Sequence, residues 1–394
     1  MSKSHAFGAK KKISPLRAAV RALVCFFAVI LAAVSLLLVL AYSATNAVMK
    51  TDSAEQQLWL DSLRSNPGAP VNEQSFADFS LETANPKINE VRLVSSHNSY
   101  RRDMIEPIST VFHAFVPNRI DFQYVYEKPH LSEQLDSGVR GLELDVHVEK
   151  DSIRVYHLYP FDAHTNGNDW LLALEELKIW SDNNPNHFPL MVCVEFKNTA
   201  AFFNPKYLKD KTEAVRRLND SFAEIFGEDD LILPKDVLGE YSNMAEAVNA
   251  GNWPTYQQTK GKILFYANLG IEDELIQIDP TQKTLNMFIS AEITADASTG
   301  SLSKNAAIAI IDGMSTDAMA QRTKGYVDVG YLVRQGGNVY TGEKDGKIIF
   351  HEDRVEQLYA SQAQLYNTDL LECAITPKMD FWLTYQGKYL ALVS

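Results

Sequence analysis

From Ile88 onward, the apolar positions keep two alternating rhythms. One is short and strand-like, rich in Val, Ile, Leu, Tyr and Phe. It predicts strands at VRLVSS (91–96), VRGLELDVHV (139–148), IRVYHL (153–158), LMVCVEF (190–196), KILFYAN (262–268), LNMFISA (285–291), YLVRQ (331–335) and AQLYN (363–367). The other has helical spacing. Leu171, Leu174, Leu177 and Trp180 share one face of NDWLLALEELKIWSDNNP, and PKYLKDKTEAVRRLNDSFAEIF and DRVEQLYASQ read the same way. Eight strands with intervening helices predict an α/β fold, a (β/α)8 TIM-type barrel over residues 89–394. It should be irregular between the second and third strands, which only a tight turn around EKDS joins. Chemistry in such barrels lies at the C-terminal ends of the strands.

Ahead of the barrel stands an unbroken apolar run, ALVCFFAVILAAVSLLLVLAY, residues 22–42. Its length, about 31 Å as a helix, matches a bilayer core and exceeds a secretory h-region, so a single transmembrane anchor is expected. AYS at 41–43 leaves cleavage open, which would release the body. Residues 1–21 hold Lys3, Lys10, Lys11, Lys12, Arg17 and Arg21 and no acid. This basic segment belongs in the cytoplasm, with the body outside it, periplasmic or extracellular. Residues 43–88 are polar and broken by NPGAP and ANP, and read as a tether with one short helix around AEQQLWLDSLR.

Composition changes this picture little. The 394 residues are 46% hydrophobic, which excludes wholesale disorder. The 31 basic and 50 acidic residues beyond Arg21 leave a net charge of −19 there, against a general nucleic-acid binder. Cys25, Cys193 and Cys373 form no disulfide framework, CxxC pair or zinc spacing, although one bridge between the last two is conceivable.

The strand ends carry the chemistry. The first closes on His97-Asn98. In GLELDVHV, alternation puts Glu143, Asp145 and His147 on one face. The third ends in Tyr156-His157, and the fourth sets Glu195 and Lys197 on one face. Asn98, Glu143, Asp145 and Glu195 are hard oxygen donors with three negative charges, a set that favours Ca²⁺, with Mg²⁺ second. Without an ion, mutual repulsion should raise the pKa of at least one carboxyl. His97 and His157 would then flank a phosphate, and Lys197 would add positive charge. The competing use of Glu143 and Asp145 is a buried ion-pair network with Arg140 or Lys197. His147 reads as structural.

The segments SHNSY, PHLSEQLDSGVRGLELDV, RVYH, LKIWSDNNPNHFPLMVCVEFKN, LPKDVLG, NWPTYQQTKGKILF and GYLVRQ, colinear from about 91 to 335, resemble the calcium-dependent bacterial-type phosphoinositide phospholipases C. The resemblance implies catalytic roles for His97 and His157 and calcium ligation by Asn98, Glu143, Asp145 and Glu195. It also implies phosphate or inositol contact by Lys197 and head-group contact by Arg334. The reaction it implies is attack of the inositol 2-hydroxyl on phosphorus, giving diacylglycerol and a cyclic phosphate. Glu143 or Glu195 would be the base, His97 the acid and His157 the stabiliser. After Arg334 the chain departs from the family pattern with Gln335-Gly336-Gly337-Asn338, and residues 377–394 match poorly. Phe112, Phe115, Phe122, Tyr124 and Tyr126 could form an apolar rim that meets lipid. The alternatives are a related phosphodiesterase for another glycerophosphodiester or sphingolipid, and a non-catalytic membrane-anchored binding barrel.

Overall fold

A computed structural model describes residues 15–106, 108–109, 127–197, 204–293, 302–311, 316–336, 340–344, 347–350, 352–374 and 382–393. The aromatic candidates between Phe112 and Tyr126 lie outside the described residues.

Twelve strands are described: β1 (Val91–Ser96), β2 (Gly141–Val148), β3 (Ile153–Val155), β4 (Leu190–Phe196), β5 (Ile263–Ala267), β6 (Ser290–Glu292), β7 (Ile308–Ile311), β8 (Leu332–Gly336), β9 (Tyr340–Lys344), β10 (Lys347–Phe350), β11 (Leu365–Thr368) and β12 (Leu390–Leu392). Eight of them run parallel in the order β5-β4-β2-β1-β11-β8-β7-β6. The ends of this path meet where Phe288, just before β6, bridges Tyr266 of β5. Its N–H donates to Phe265 C=O at 2.9 Å, and Phe288 C=O accepts from Ala267 N–H at 2.9 Å. The fold is therefore the expected (β/α)8-type barrel, with β2 and β4 buried almost throughout. Gly141 permits the closest approach of β1 and β2, since a Cβ there would meet Ser95 Cβ at 2.4 Å.

Two barrel assignments change. The run 153–158 is not a barrel stave: β3 is a short antiparallel partner of β2, because a tight turn can only make a hairpin. The eighth stave is β7, in NAAIAIID, whose both-faces-buried apolar run shows no alternation to mark it as a strand.

The segment 43–88 also differs from an open tether. One helix runs unbroken from Pro15 to Ser65. Large apolar side chains between Leu16 and Leu40, among them Phe26, Phe27 and Leu31, are exposed, whereas Thr45, Asp52, Gln56 and Leu60 are buried against the barrel. Buried polar groups hidden among Glu, Gln and Asp explain why that stretch reads as solvated. Glu73 then pairs with the fully buried Arg140 beneath the barrel, so Arg140 is not a partner of Glu143 or Asp145. The C-terminal segment has a structural place as well. Val94 N–H donates to Tyr389 C=O and Val94 C=O accepts from Arg140 N–H, so β12 and β2 share one side of β1. β12 thus fills the lower gap between these staves. Cys193 and Cys373 form no disulfide bond with each other.

Candidate active site

β2 and β4 lie in parallel register with Asp145 opposite Glu195, which puts both carboxylates on one face. Glu143, two residues earlier on the same face, completes a cluster whose ligand oxygens all lie within 4.8 Å of one another. Glu143 is tied from both sides: its Oε2 accepts from Arg334 Nη2 at 2.7 Å and from Asn367 Nδ2. Burial opposes its charge, but Arg334 and His97 outweigh that and hold its carboxyl at about 2. Asp145 is fully buried, and burial raises its pKa although Lys197 Nζ lies 3.1 Å from Oδ2. Neither Asp145 oxygen makes a well-formed hydrogen bond, so the carboxylate relies on the Lys197 ion pair. Glu195, also ion-paired with Lys197, is pushed up to about 7 by burial and by the charges of Asp145 and Glu143. Crowding and burial thus suppress ionisation of Asp145 and Glu195, while Arg334 and His97 keep Glu143 charged.

These oxygens could hold a hard divalent cation. Buried carboxylate oxygens short of well-formed hydrogen bonds, in a cluster of three acids, are what a cation would satisfy. Asn98 stands at the turn after β1 with φ of 46°, a left-handed conformation that asparagine tolerates. Its Oδ1 accepts from the Tyr100 hydroxyl at 3.0 Å. Ser99 clasps this turn to β2: its N–H donates to Glu143 C=O at 3.0 Å and its Oγ accepts from Glu143 N–H at 2.9 Å.

The two histidines follow different strands, His97 the stave β1 and His157 the hairpin strand β3, and each is backed by a buried acid. His97 Nδ1 is 2.8 Å from Asp369 Oδ1, just past β11. Burial works against its charge, yet Asp369 and Glu143 together raise its pKa to about 9. His157 Nδ1 is 2.9 Å from Asp162 Oδ2, which also accepts from Arg101 Nε at 3.2 Å. The Asp162 pKa is lowered, because Arg101 and His157 outweigh its burial. In each pair Nδ1 is engaged by a carboxylate, which fixes the orientation of the ring. His147 is different. It is buried, stacks on Tyr156 at a centroid distance of 3.7 Å, and its Nε2 meets Tyr156 C=O at 2.9 Å. Burial lowers its pKa to about 3, so it is a neutral packing residue.

The structure therefore gathers His97, Asn98, Glu143, Asp145, Glu195, Lys197 and Arg334 toward the C-terminal ends of the staves, and His157 joins them from the segment after the hairpin strand β3. Residues that sequence reasoning missed are the second partners: Asp369, Asp162, Arg101 and Asn367. Lys128, fully buried, donates from Nζ to Asp369 C=O at 3.0 Å and steadies that turn. Asp162 follows His157 by five positions and Asp369 lies two residues past the predicted strand 363–367, so nearness to a strand end was the available signal.

The family model of calcium-dependent phosphoinositide phospholipase C matches residues 87–152 and 147–393. Among solved structures, the apo form of a calcium-dependent phosphoinositol-specific phospholipase C from the Gram-negative bacterium Pseudomonas sp. is similar, with a TM-score of 0.51 and 18% identity over 81% of this chain and 98% of that one. Its myoinositol complex gives a TM-score of 0.50 and 17% identity, covering 80% of this chain and 98% of that one. At such identities the likeness shows the shared barrel. No curated protein sequence matches the chain. Matched across most of its length, the chain belongs to the calcium-dependent phosphoinositide phospholipase C family.

Proposed function

We propose that this protein is a membrane-anchored phosphodiesterase that cleaves phosphatidylinositol-type lipids to diacylglycerol and an inositol cyclic phosphate. One observation carries the reading: three carboxylates share a site flanked by two imidazoles, each backed by a buried acid. A structural ion site has no need of the imidazoles, which argues against a binding barrel.

Asn98, Glu143, Asp145 and Glu195 are the residues that would hold calcium. When bound, the ion would acidify the inositol 2-hydroxyl and offset charge on the phosphate. Glu195 takes the hydroxyl proton. It is partly exposed, whereas Glu143 is locked by Arg334 and Asn367, and this supports Glu195 over Glu143. His97 donates a proton from Nε2 to the leaving alkoxide, and its raised pKa supports that role. His157 stabilises the equatorial oxygens. Its acid, Asp162, is shared with Arg101 and holds the imidazole in place through Nδ1. Lys197 meets the phosphate, and Arg334, beside Glu143, borders the head group. The exposed apolar helix, with basic residues before it, anchors the body outside the cytoplasm.

The test is turnover by the full chain in mixed micelles of phosphatidylinositol and detergent, with calcium or with chelator. Calcium-dependent release of the cyclic phosphate is expected. A linear phosphate as first product would favour the related phosphodiesterase instead, and absence of turnover would sink the enzyme assignment.

A further inference from the structure

The long N-terminal helix has a direction relative to the barrel. The helix Trp170–Asn183 returns from the mouth, where His157 and Asp162 lie, to the floor, where β4 begins at Leu190. The docked half of the N-terminal helix tracks the same descent. Thr45 Oγ1 donates to Pro160 C=O at 2.5 Å. Thr165 N–H donates to Asp52 Oδ2 at 3.0 Å. Gln56 makes a reciprocal pair with the Asp169 backbone at 3.0 and 2.8 Å. Trp59 Nε1 donates to Glu176 at 3.1 Å and its ring stacks on His130. Arg64 pairs with Glu175, and beyond the helix Val71 N–H reaches Asn184 Oδ1 at 2.7 Å.

Residues 41–45 are therefore at the mouth and residues 65–71 at the floor, a span of about 36 Å along the helix. The helix between Leu16 and Leu40, with its exposed apolar side chains, projects beyond the mouth. No linker intervenes: Ala41 packs on Met104 and Ile108, with Phe161 beside it. Those residues belong to the loops after β1 and β3, the same loops that carry Asn98 and His157. Tyr42 packs edge-on against Tyr159 at 5.0 Å.

We infer that the anchor and the catalytic barrel form one rigid arm, which presses the mouth of the barrel against the extracytoplasmic leaflet of the membrane that the helix crosses. The partner of the rim is that lipid surface, and the substrate is drawn from that same leaflet. This rests on the phospholipase and anchor reading above. A flexible tether would let the site reach other membranes; a continuous helix clamped at Thr45, Asp52, Gln56 and Trp59 does not.

The full chain, reconstituted in vesicles containing one labelled phosphatidylinositol, is mixed with protein-free vesicles containing a second label. Hydrolysis of the protein's own vesicles should exceed that of the added ones by at least about tenfold. A variant with a Gly-Ser linker of about 15 residues between Leu40 and Ala41, spanning roughly 20 Å, should raise hydrolysis of added vesicles several-fold. Both proteins should be equally active in mixed micelles. If micellar activity is present but the native chain cleaves added vesicles as fast as its own, the rigid arm is wrong and the phospholipase stands. Loss of the unmodified chain from alkali-washed vesicles would remove the anchor, and with it this inference. No micellar activity would remove both.

Discussion

His97 and Asp369 sit 272 positions apart in the chain and meet at 2.8 Å across neighbouring staves β1 and β11. The buried carboxylate fixes the imidazole through Nδ1 and favours its charged form. His97→Ala should lower kcat by about 10²–10⁴, the usual worth of a general acid. Asp369→Asn should keep the fold, lower kcat by less, and move the alkaline limb of the pH–rate profile to lower pH. An unmoved limb would show that Asp369 does not support the histidine.

Asp162 serves two partners at once, the His157 imidazole and the fully buried Arg101. Asp162→Asn should therefore reduce both activity and stability. Removing one partner of a buried ion pair typically costs about 3–5 kcal/mol. Chemical denaturation should show that loss, whereas His157→Gln, which leaves the Arg101 pair intact, should lose activity with little change in midpoint.

Calcium should stabilise the fold, since Asp145 and Glu195 are acids whose ionisation the native cluster suppresses. At 100 times its dissociation constant a bound ion adds about 2.7 kcal/mol. Thermal unfolding should shift upward with calcium, less with magnesium, and not at all in Asp145→Asn. An equal shift in that variant would place the ion elsewhere.

His187 gives the fold an acid-sensitive element far from the site. Burial first, and then the Arg140 charge, lower its pKa to about 4. The unfolded chain takes up a proton near the ordinary pKa of about 6.5, while the native imidazole resists until about 4. Acidification through that window therefore favours the unfolded state, by on the order of 3 kcal/mol once complete. Asp52 acts oppositely: burial raises its pKa to about 6, so the native state gains relative stability as pH falls from 6 toward 4. Unfolding midpoints at pH 7, 5.5 and 4.5 should fall in the native chain and fall less in His187→Gln.

Local alternation along the chain was enough to place Glu143 and Asp145 on one face and His97, His157, Glu195 and Lys197 at strand ends. A strand's two-residue period fixes which side chains share a face before any long-range contact forms. The apolar run 22–42 likewise declares its helix through length alone. Packing between distant segments settled what periodicity does not encode. Asp369 and Asp162 became imidazole partners, Arg140 went to Glu73 beneath the barrel, β7 replaced β3 as a stave, and residues 43–65 docked as helix. Each of those outcomes is a choice among partners far apart in sequence, made by burial and charge neutralisation in three dimensions, and no local pattern carries that information.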